Sequence, residues 1–457
     1  MTAPVIVWLR RDLRLADQAA FRAAAESGAP VIPVFILDDE TAGARRRGGA
    51  SRWWLHHSLE SLGAALTACG SRLVLRRGAA PGALASLVAQ TGADTIHALR
   101  HEEPWWRAAE AEVARGKARL CLHDGNYLAP PGSVRTGGGQ LYRIYTPFWR
   151  ALQQQLPPPP PTPAPRRLRA PDAWPQTDSL ADWRLLPQRP DWAGGLREAW
   201  TPGEAGANRA LAAFVTHAGR YGEARNHPAS PGTSRLSPHL HHGEISAASV
   251  WHRLADAGGS VASFLGELGW RDYAQTIIRQ FPDYGETPAR AMFARFGWRS
   301  GQAAASDLAA WQQGRTGYPI VDAGMRQLWV SGWMHNRVRM IAASFLVKHL
   351  LIDWRRGERW FWDTLVDADY ASNAVNWQWI AGSGVDANMF PRIMAPLTQS
   401  VKFAAAAYIR HWVPELRAFD DEAIHDPPPG TKGYAERLIG HRAARERALA
   451  AYARVKA

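Results

Sequence analysis

The chain has 457 residues, 46% of them hydrophobic, which is enough for two domains with ordinary cores. Its formal net charge of +13 fits either an electrostatic footprint for nucleic acid or the arginine-rich usage of a GC-rich genome. Two cysteines, Cys69 and Cys121, exclude a four-cysteine iron–sulfur cluster and a disulfide framework, and the absence of a signal-peptide core or a membrane-length apolar run predicts a cytoplasmic protein.

The first third alternates strand and helix. "VIVWL" (5–9) is a continuous apolar run of the kind a buried parallel strand needs. Residues 16–28 read as a helix ending on Gly28, 31–37 as a strand, and 51–70 as a helix stopping at Gly70. Residues 72–78, 81–92 and 95–99 continue the pattern, giving an open Rossmann-like α/β sheet over residues 1–130. The turn after the first strand, "RRDLRLAD", has no glycine, so a dinucleotide fingerprint is absent. "GGG" at 137–139 reads as a turn. Residues 131–205 form an interdomain linker, with the proline-rich stretch 156–167 extended. From 206 to 457 the pattern is helical.

Four stretches of the helical half carry polar residues that need explaining. In "GTSRLSPHLHHGEIS" (232–246), Ser237 reads as an N-cap and Pro238 as the first helical residue. The hydroxyls of Thr233, Ser234 and Ser237 serve either as plain caps or as phosphate ligands at a helix N-terminus. On an amphipathic helix over 266–281, Glu267, Trp270 and Arg271 share one face. A long helix over 332–354 places Val338, Ile341, Phe345 and Leu346 on a core stripe, with Asn336, Arg339 and Met340 on a second face. "DADYASN" (367–373) offers Asp367, Asp369 and Asn373 as metal ligands, acid–base groups or partners of a polar ring; no adjacent His or Cys supports a transition metal. Pairing Asp367 with Arg339 would neutralise two charges at once. The chain also holds 22 Trp against 13 Phe and 11 Tyr, although packing alone does not require indole.

Taken together, "RRDLRLAD", "GTSRLSP", "ELGWRDY", "GRTGYPIVDAGMRQL" (314–328), residues 333–361 and "NWQW" (376–379) resemble the photolyase/cryptochrome family, in the family's order and over nearly the whole chain. Within it the sequence is most similar to bacterial photolyases acting on cyclobutane pyrimidine dimers. The resemblance implies an α/β antenna domain, a linker and an all-α domain binding folded FAD. It implies a carbon–carbon lyase in which photoexcited reduced FAD lends an electron to a flipped-out dimer, with no net redox change. The alternative within the family is a blue-light photoreceptor. That role often goes with a long C-terminal tail, and residues 433–457 read as a last helix with almost nothing beyond it.

Carried over by position, Tyr221, Thr233, Ser234, Arg235, Leu236, Ser237 and Arg271 belong to the FAD set, as do Asn336, Arg339, Asp367, Asp369 and Asn373 around the ring. Asp369 would accept from the ring imide and Asn373 would face N5. Glu267, Trp270, Asn336, Met340 and Trp379 would meet the lesion, Arg225 and Arg337 the nearby phosphates. Trp377, Trp354 and Trp298 would pass an electron inward from the surface. Asn336 in "WMHN" argues against (6-4) repair, where a second His is usual. The expected partner is UV-damaged DNA read with little sequence preference, and the expected state is a monomer. Trp105 and Trp106, which replace the polar residues of folate-binding relatives, leave three alternatives for the antenna: methenyltetrahydrofolate in a different pose, a deazaflavin, or no stable antenna.

Overall fold

The computed structural model describes residues 2–256, 261–387 and 389–456. It divides into two compact units. The first contains residues 1–193, 200–219 and 234–282; the second contains 194–199, 220–233 and 283–457. Both units are discontinuous in sequence.

The first unit is built on a five-stranded, all-parallel sheet: β1 (Val5–Leu9), β2 (Val31–Leu37), β3 (Val74–Arg77), β4 (Thr95–Leu99) and β5 (Arg119–His123), in the order β3-β2-β1-β4-β5. Its helices are α1 (Ala19–Glu26), α2 (Gly49–Ala68), α3 (Ala80–Thr91), α4 (Pro104–Val113) and α5 (Tyr145–Leu152). Residues 5–9 of β1 are all buried because the strand feeds two cores: Val5, Val7 and Leu9 on one face, Ile6 and Trp8 on the other. That explains the unbroken apolar run. The helix read at 16–28 is shorter, since Gln18 caps it by accepting from the backbone N–H of Ala20 and Phe21.

The order reverses between β1 and β4, the place where open α/β sheets usually hold ligands. Here the chain's own side chains fill it. Arg10 donates to Glu110 at 2.6 Å and lies over Trp8 at 4.2 Å. Arg11 pairs with Glu103, and Asp12 accepts from Arg10 N and Gln18 Nε2. Among the further helices of this unit are α6 (Ser237–His242) and α7 (Ala262–Gln280). The hydroxyl cluster required one correction. Ser237 is the first helical residue and is exposed; Leu236 occupies the cap position, with no side-chain cap bond.

The second unit is helical. Its central elements are α8 (Pro319–Ser331), α9 (Asn336–Ser344), α10 (Trp354–Thr364) and α11 (Tyr370–Ala381), with α12 (His441–Lys456) near the end. The single helix expected over 332–354 is broken. After Ser344 the backbone widens to a π turn over Phe345–His349, with Leu350 N bonding back to Phe345 O at 3.0 Å. Leu351 then takes a positive φ of 52° and Asp353 caps α10. π turns often mark functional segments. This one buries Lys348, whose ammonium donates to Arg392 O at 2.9 Å and is pushed down to about 7 by desolvation. No helix among the described residues is long and apolar enough to cross a membrane.

Candidate functional site

The polar residues of α9, α10 and α11 form one bonded set. Arg339 reaches Asp367 with both terminal nitrogens, at 3.1 and 2.9 Å, and donates its Nε to Met334 O at 2.7 Å. The Asp367 side chain is 4% exposed and Arg339 24%, so the pair is largely desolvated. Bidentate geometry suits such a pair and fixes the guanidinium plane. The backbone turns tightly at Asp367, whose carbonyl accepts from Asp369 N at 2.7 Å. Asp369 then caps α11, accepting from Ser372 N at 2.8 Å. One carboxylate thus sits at a helix N-terminus, where the dipole favours negative charge.

Asn373 lies one turn further on and is buried. Its Nδ2 donates to Glu358 O at 3.0 Å and to Glu358 Oε1 at 2.9 Å. The backbone carbonyl can only accept, so the amide has one allowed orientation. The nitrogen faces Glu358, and Oδ1 is left to accept from a donor on the other side. Glu358 is wholly buried and was missed in the sequence reading. The signal was its place 15 residues before Asn373, which no local spacing reveals. Asn376, the other amide of the stretch, donates to Ser372 O at 2.7 Å and is exposed. Gln378, also overlooked, is a buried hub: it donates to Tyr284 O and Thr287 O and accepts from Ala289 N.

Trp377 and Trp354 are 2% and 1% exposed within one hydrophobic core, and Trp298 packs half-buried on its edge, 4.2 Å from the Phe296 ring. Trp377 lies edge-on to Phe361 at 5.0 Å. Gly357 allows this, since a Cβ there would strike the Trp377 ring. Trp379 is half-buried on the same core.

A cleft of about 460 Å³ in the second unit is lined by Asn226, Arg337, Met340, Lys402 and Phe403. Arg337 donates to Asn226 Oδ1 at 2.7 and 2.9 Å and approaches Met340 Sδ at 3.7 Å. Asn336, the first residue of α9, is exposed. Arg225 lies 5.0 Å over the Tyr221 ring. His335, which caps α9, is depressed to about 4 by burial and by Arg337 and Arg339, so it is a neutral ring at physiological pH.

Within the first unit, Glu267, Trp270 and Arg271 are half-buried on α7. Tyr145 stacks on Trp270 with centroids 3.5 Å apart and planes 9° from parallel, so one indole face is already covered. Gly269 allows Trp149 to approach α7, since a Cβ there would strike that ring. Arg271 donates to the carbonyls of Asn126 and Leu240 and lies 4.5 Å over the Tyr127 ring, which anchors α7. Arg235 takes a positive φ of 53° and stacks over Trp200 at 4.1 Å, while Ser234 Oγ accepts from Leu236 N. The FAD and lesion residues expected from sequence therefore divide between the units. Ser234 to Ser237, Glu267, Trp270 and Arg271 lie in the first; Tyr221, Arg225, Thr233 and all those from 298 onward lie in the second.

Comparison with known proteins shows the family. Residues 5–166 match the family model described as DNA photolyase, and residues 264–454 the model for the FAD binding domain of DNA photolyase. The chain is 48% identical to a deoxyribodipyrimidine photo-lyase of Agrobacterium fabrum, covering 100% of this chain and 98% of that one. It is 35% identical to cryptochrome-1 of Arabidopsis thaliana over 92% of this chain and 64% of the relative. A bacterial class III photolyase from Agrobacterium tumefaciens superposes with a TM-score of 0.94 at 47% identity, covering 100% and 98% of the two chains. The chain belongs to the photolyase/cryptochrome family.

Proposed function

We propose that this chain is a light-driven lyase that splits cyclobutane pyrimidine dimers in DNA, with reduced FAD as its resident cofactor. The fixed amide of Asn373 carries the reading. An acceptor oxygen on a mostly buried side chain, turned by the backbone carbonyl that its nitrogen bonds, suits a ring N–H at flavin N5. Bound and reduced, FAD supplies the photoexcited electron that opens the cyclobutane ring and takes it back afterwards.

The chain's residues hold and tune that chemistry. Asp369 accepts from the imide N–H, a role suited to a carboxylate, which has no proton to lose. The Arg339–Asp367 pair would hold a guanidinium in a fixed plane beside the ring, its charge balanced by the carboxylate. Tyr221, Thr233, Ser234, Arg235, Leu236, Ser237 and Arg271 are the proposed contacts to the rest of FAD, with Asn336 bordering both cofactor and lesion. Trp270 offers the face opposite Tyr145 to a flipped base, and Trp379 and Met340 supply further apolar surface. Glu267 hydrogen-bonds the pyrimidine. Arg225 and Arg337 take phosphates without reading sequence, so binding weakens with salt. Trp377, Trp354 and Trp298 carry electrons inward from the surface. The reading includes a monomer in the cytoplasm, and it leaves folate, a deazaflavin or no stable antenna as alternatives for the first unit.

The test is to load the protein with FAD, reduce it, and illuminate it with dimer-containing DNA. Dimer loss in light and not in darkness is expected. Persistence of dimers with reduced FAD bound would refute the proposal.

A further inference from the structure

The two middle turns of α2 gather donors that the proposed function does not use. His57 Nδ1 lies 2.9 Å from Glu60 Oε2, and His56 Nε2 lies 3.3 Å from Glu60 Oε1. One carboxylate therefore faces two imidazoles, one with each oxygen. The donor atoms of the three side chains all lie within 4.8 Å of one another, and they are the one such group of His, Cys, Asp and Glu among the described residues.

The rings are held in place. Trp53 packs edge-on against His57 with centroids 4.8 Å apart, and the two imidazoles stand 85° apart at 5.2 Å. The Nδ1 of His56 is buried with no hydrogen-bond partner among the described residues, so the ring's polar contact is through Nε2 toward Glu60. His56 and Glu60 stand at i, i+4, one above the other on the helix, and His57 flanks them.

We propose that His56, His57 and Glu60 form a binding site for a divalent transition cation of the zinc type. Imidazole nitrogens with a carboxylate oxygen select zinc-like ions over magnesium or calcium, which prefer oxygen alone. Tetrahedral zinc with bonds of about 2.0–2.1 Å wants donors about 3.3 Å apart, so the three side chains need only small rotations to close on an ion. Glu60 is exposed and the two rings are half-buried, which leaves an entry path and room for water as a further ligand. The ion takes the place that the carboxylate now bridges, and neutral imidazoles with one carboxylate leave a net charge of +1 to be shared with that water.

The experiment is calorimetric titration of the FAD-loaded full chain with zinc chloride, and separately with magnesium chloride. The wild type is expected to take up one zinc per chain and no magnesium, and its thermal midpoint should rise with zinc. His57→Ala and Glu60→Gln should each weaken zinc binding roughly tenfold or more, and His56→Ala with His57→Ala should abolish the zinc-dependent rise. Unchanged flavin content and unchanged midpoint without zinc show that the variants fold. No zinc uptake by the wild type, equal uptake by the double variant, or equal uptake of magnesium would each overturn the site.

Discussion

Glu244 in the first unit and Asp369 with Asn373 in the second are all buried polar groups, yet their hydrogen bonding differs. Glu244 is fully enclosed and closed. Its oxygens accept from Trp54 Nε1, Ser58 Oγ, Gly203 N and His239 Nδ1. That cluster ties three separated stretches of the first unit together and has no acceptor to spare. The Asn373 amide is held as firmly, by Glu358, but only through its nitrogen. Buried polar groups satisfied on all sides stabilise a fold. Groups fixed on one side and left with an acceptor on the other are prepared for a ligand. The difference separates structural from functional polarity in a chain that has much of both.

Substitutions at these two places should give opposite patterns. Glu244→Ala leaves several buried donors without an acceptor and should destabilise the chain by about 3–5 kcal/mol, read as a lower urea midpoint. Asp367→Asn should act the other way round. It removes the charge opposite Arg339, so retained FAD should fall by roughly tenfold or more, while the FAD-free chain should lose less stability than with Glu244→Ala, because Arg339 keeps contact with solvent. Equal effects on both readouts would dissolve the distinction between the two clusters.

Asn373→Asp places a carboxylate against the Glu358 carboxylate and carbonyl. One of the two acids must then hold a proton. Flavin photochemistry should become pH-dependent in the variant and stay flat in the wild type, measured by light-induced absorbance change across neutral pH. Trp377→Phe should slow photoreduction of oxidised FAD while leaving repair by already reduced protein nearly intact. Equal loss of both would contradict the assigned electron path.

A pH-dependent effect tests a third kind of buried carboxylate. Asp272, on the helix that carries Glu267 and Trp270, accepts from Leu128 N and Ala129 N, but its Oδ1 has no partner among the described residues. Burial raises it to about 7, against the opposing pull of Arg271. A raised carboxyl binds its proton more tightly when folded. Its contribution is therefore complete below about pH 4 and is lost as pH climbs to about 7, by up to about 4 kcal/mol. Asp272→Asn should flatten that part of the stability–pH curve. A slope unchanged from the wild type would show that Asp272 ionises freely.

The sequence was most legible where local pattern and tertiary role coincide. Residues 5–9, 31–37 and 95–99 read as strands and are strands with the same bounds, because both faces of a central parallel sheet are apolar. The Arg339–Asp367 pair was also readable, from the need to neutralise charge on apolar helices. What was not readable depends on contacts distant in sequence or on backbone irregularity. Glu358 behind Asn373 and Tyr145 on Trp270 come from other elements, 15 and 125 residues away. The π turn at 345–349 interrupts an apolar period that reads as one helix, since each of its residues is buried either way. Ser237 followed by Pro looks like a cap, but the cap falls one residue earlier because the backbone reverses at Arg235.

The most direct test counts dimers split per protein in light, with FAD reduced once and no reductant supplied afterwards. A borrowed and returned electron predicts many dimers repaired per protein, with FAD still reduced at the end. Repair that stops after one dimer per protein, with FAD left oxidised, would contradict the account.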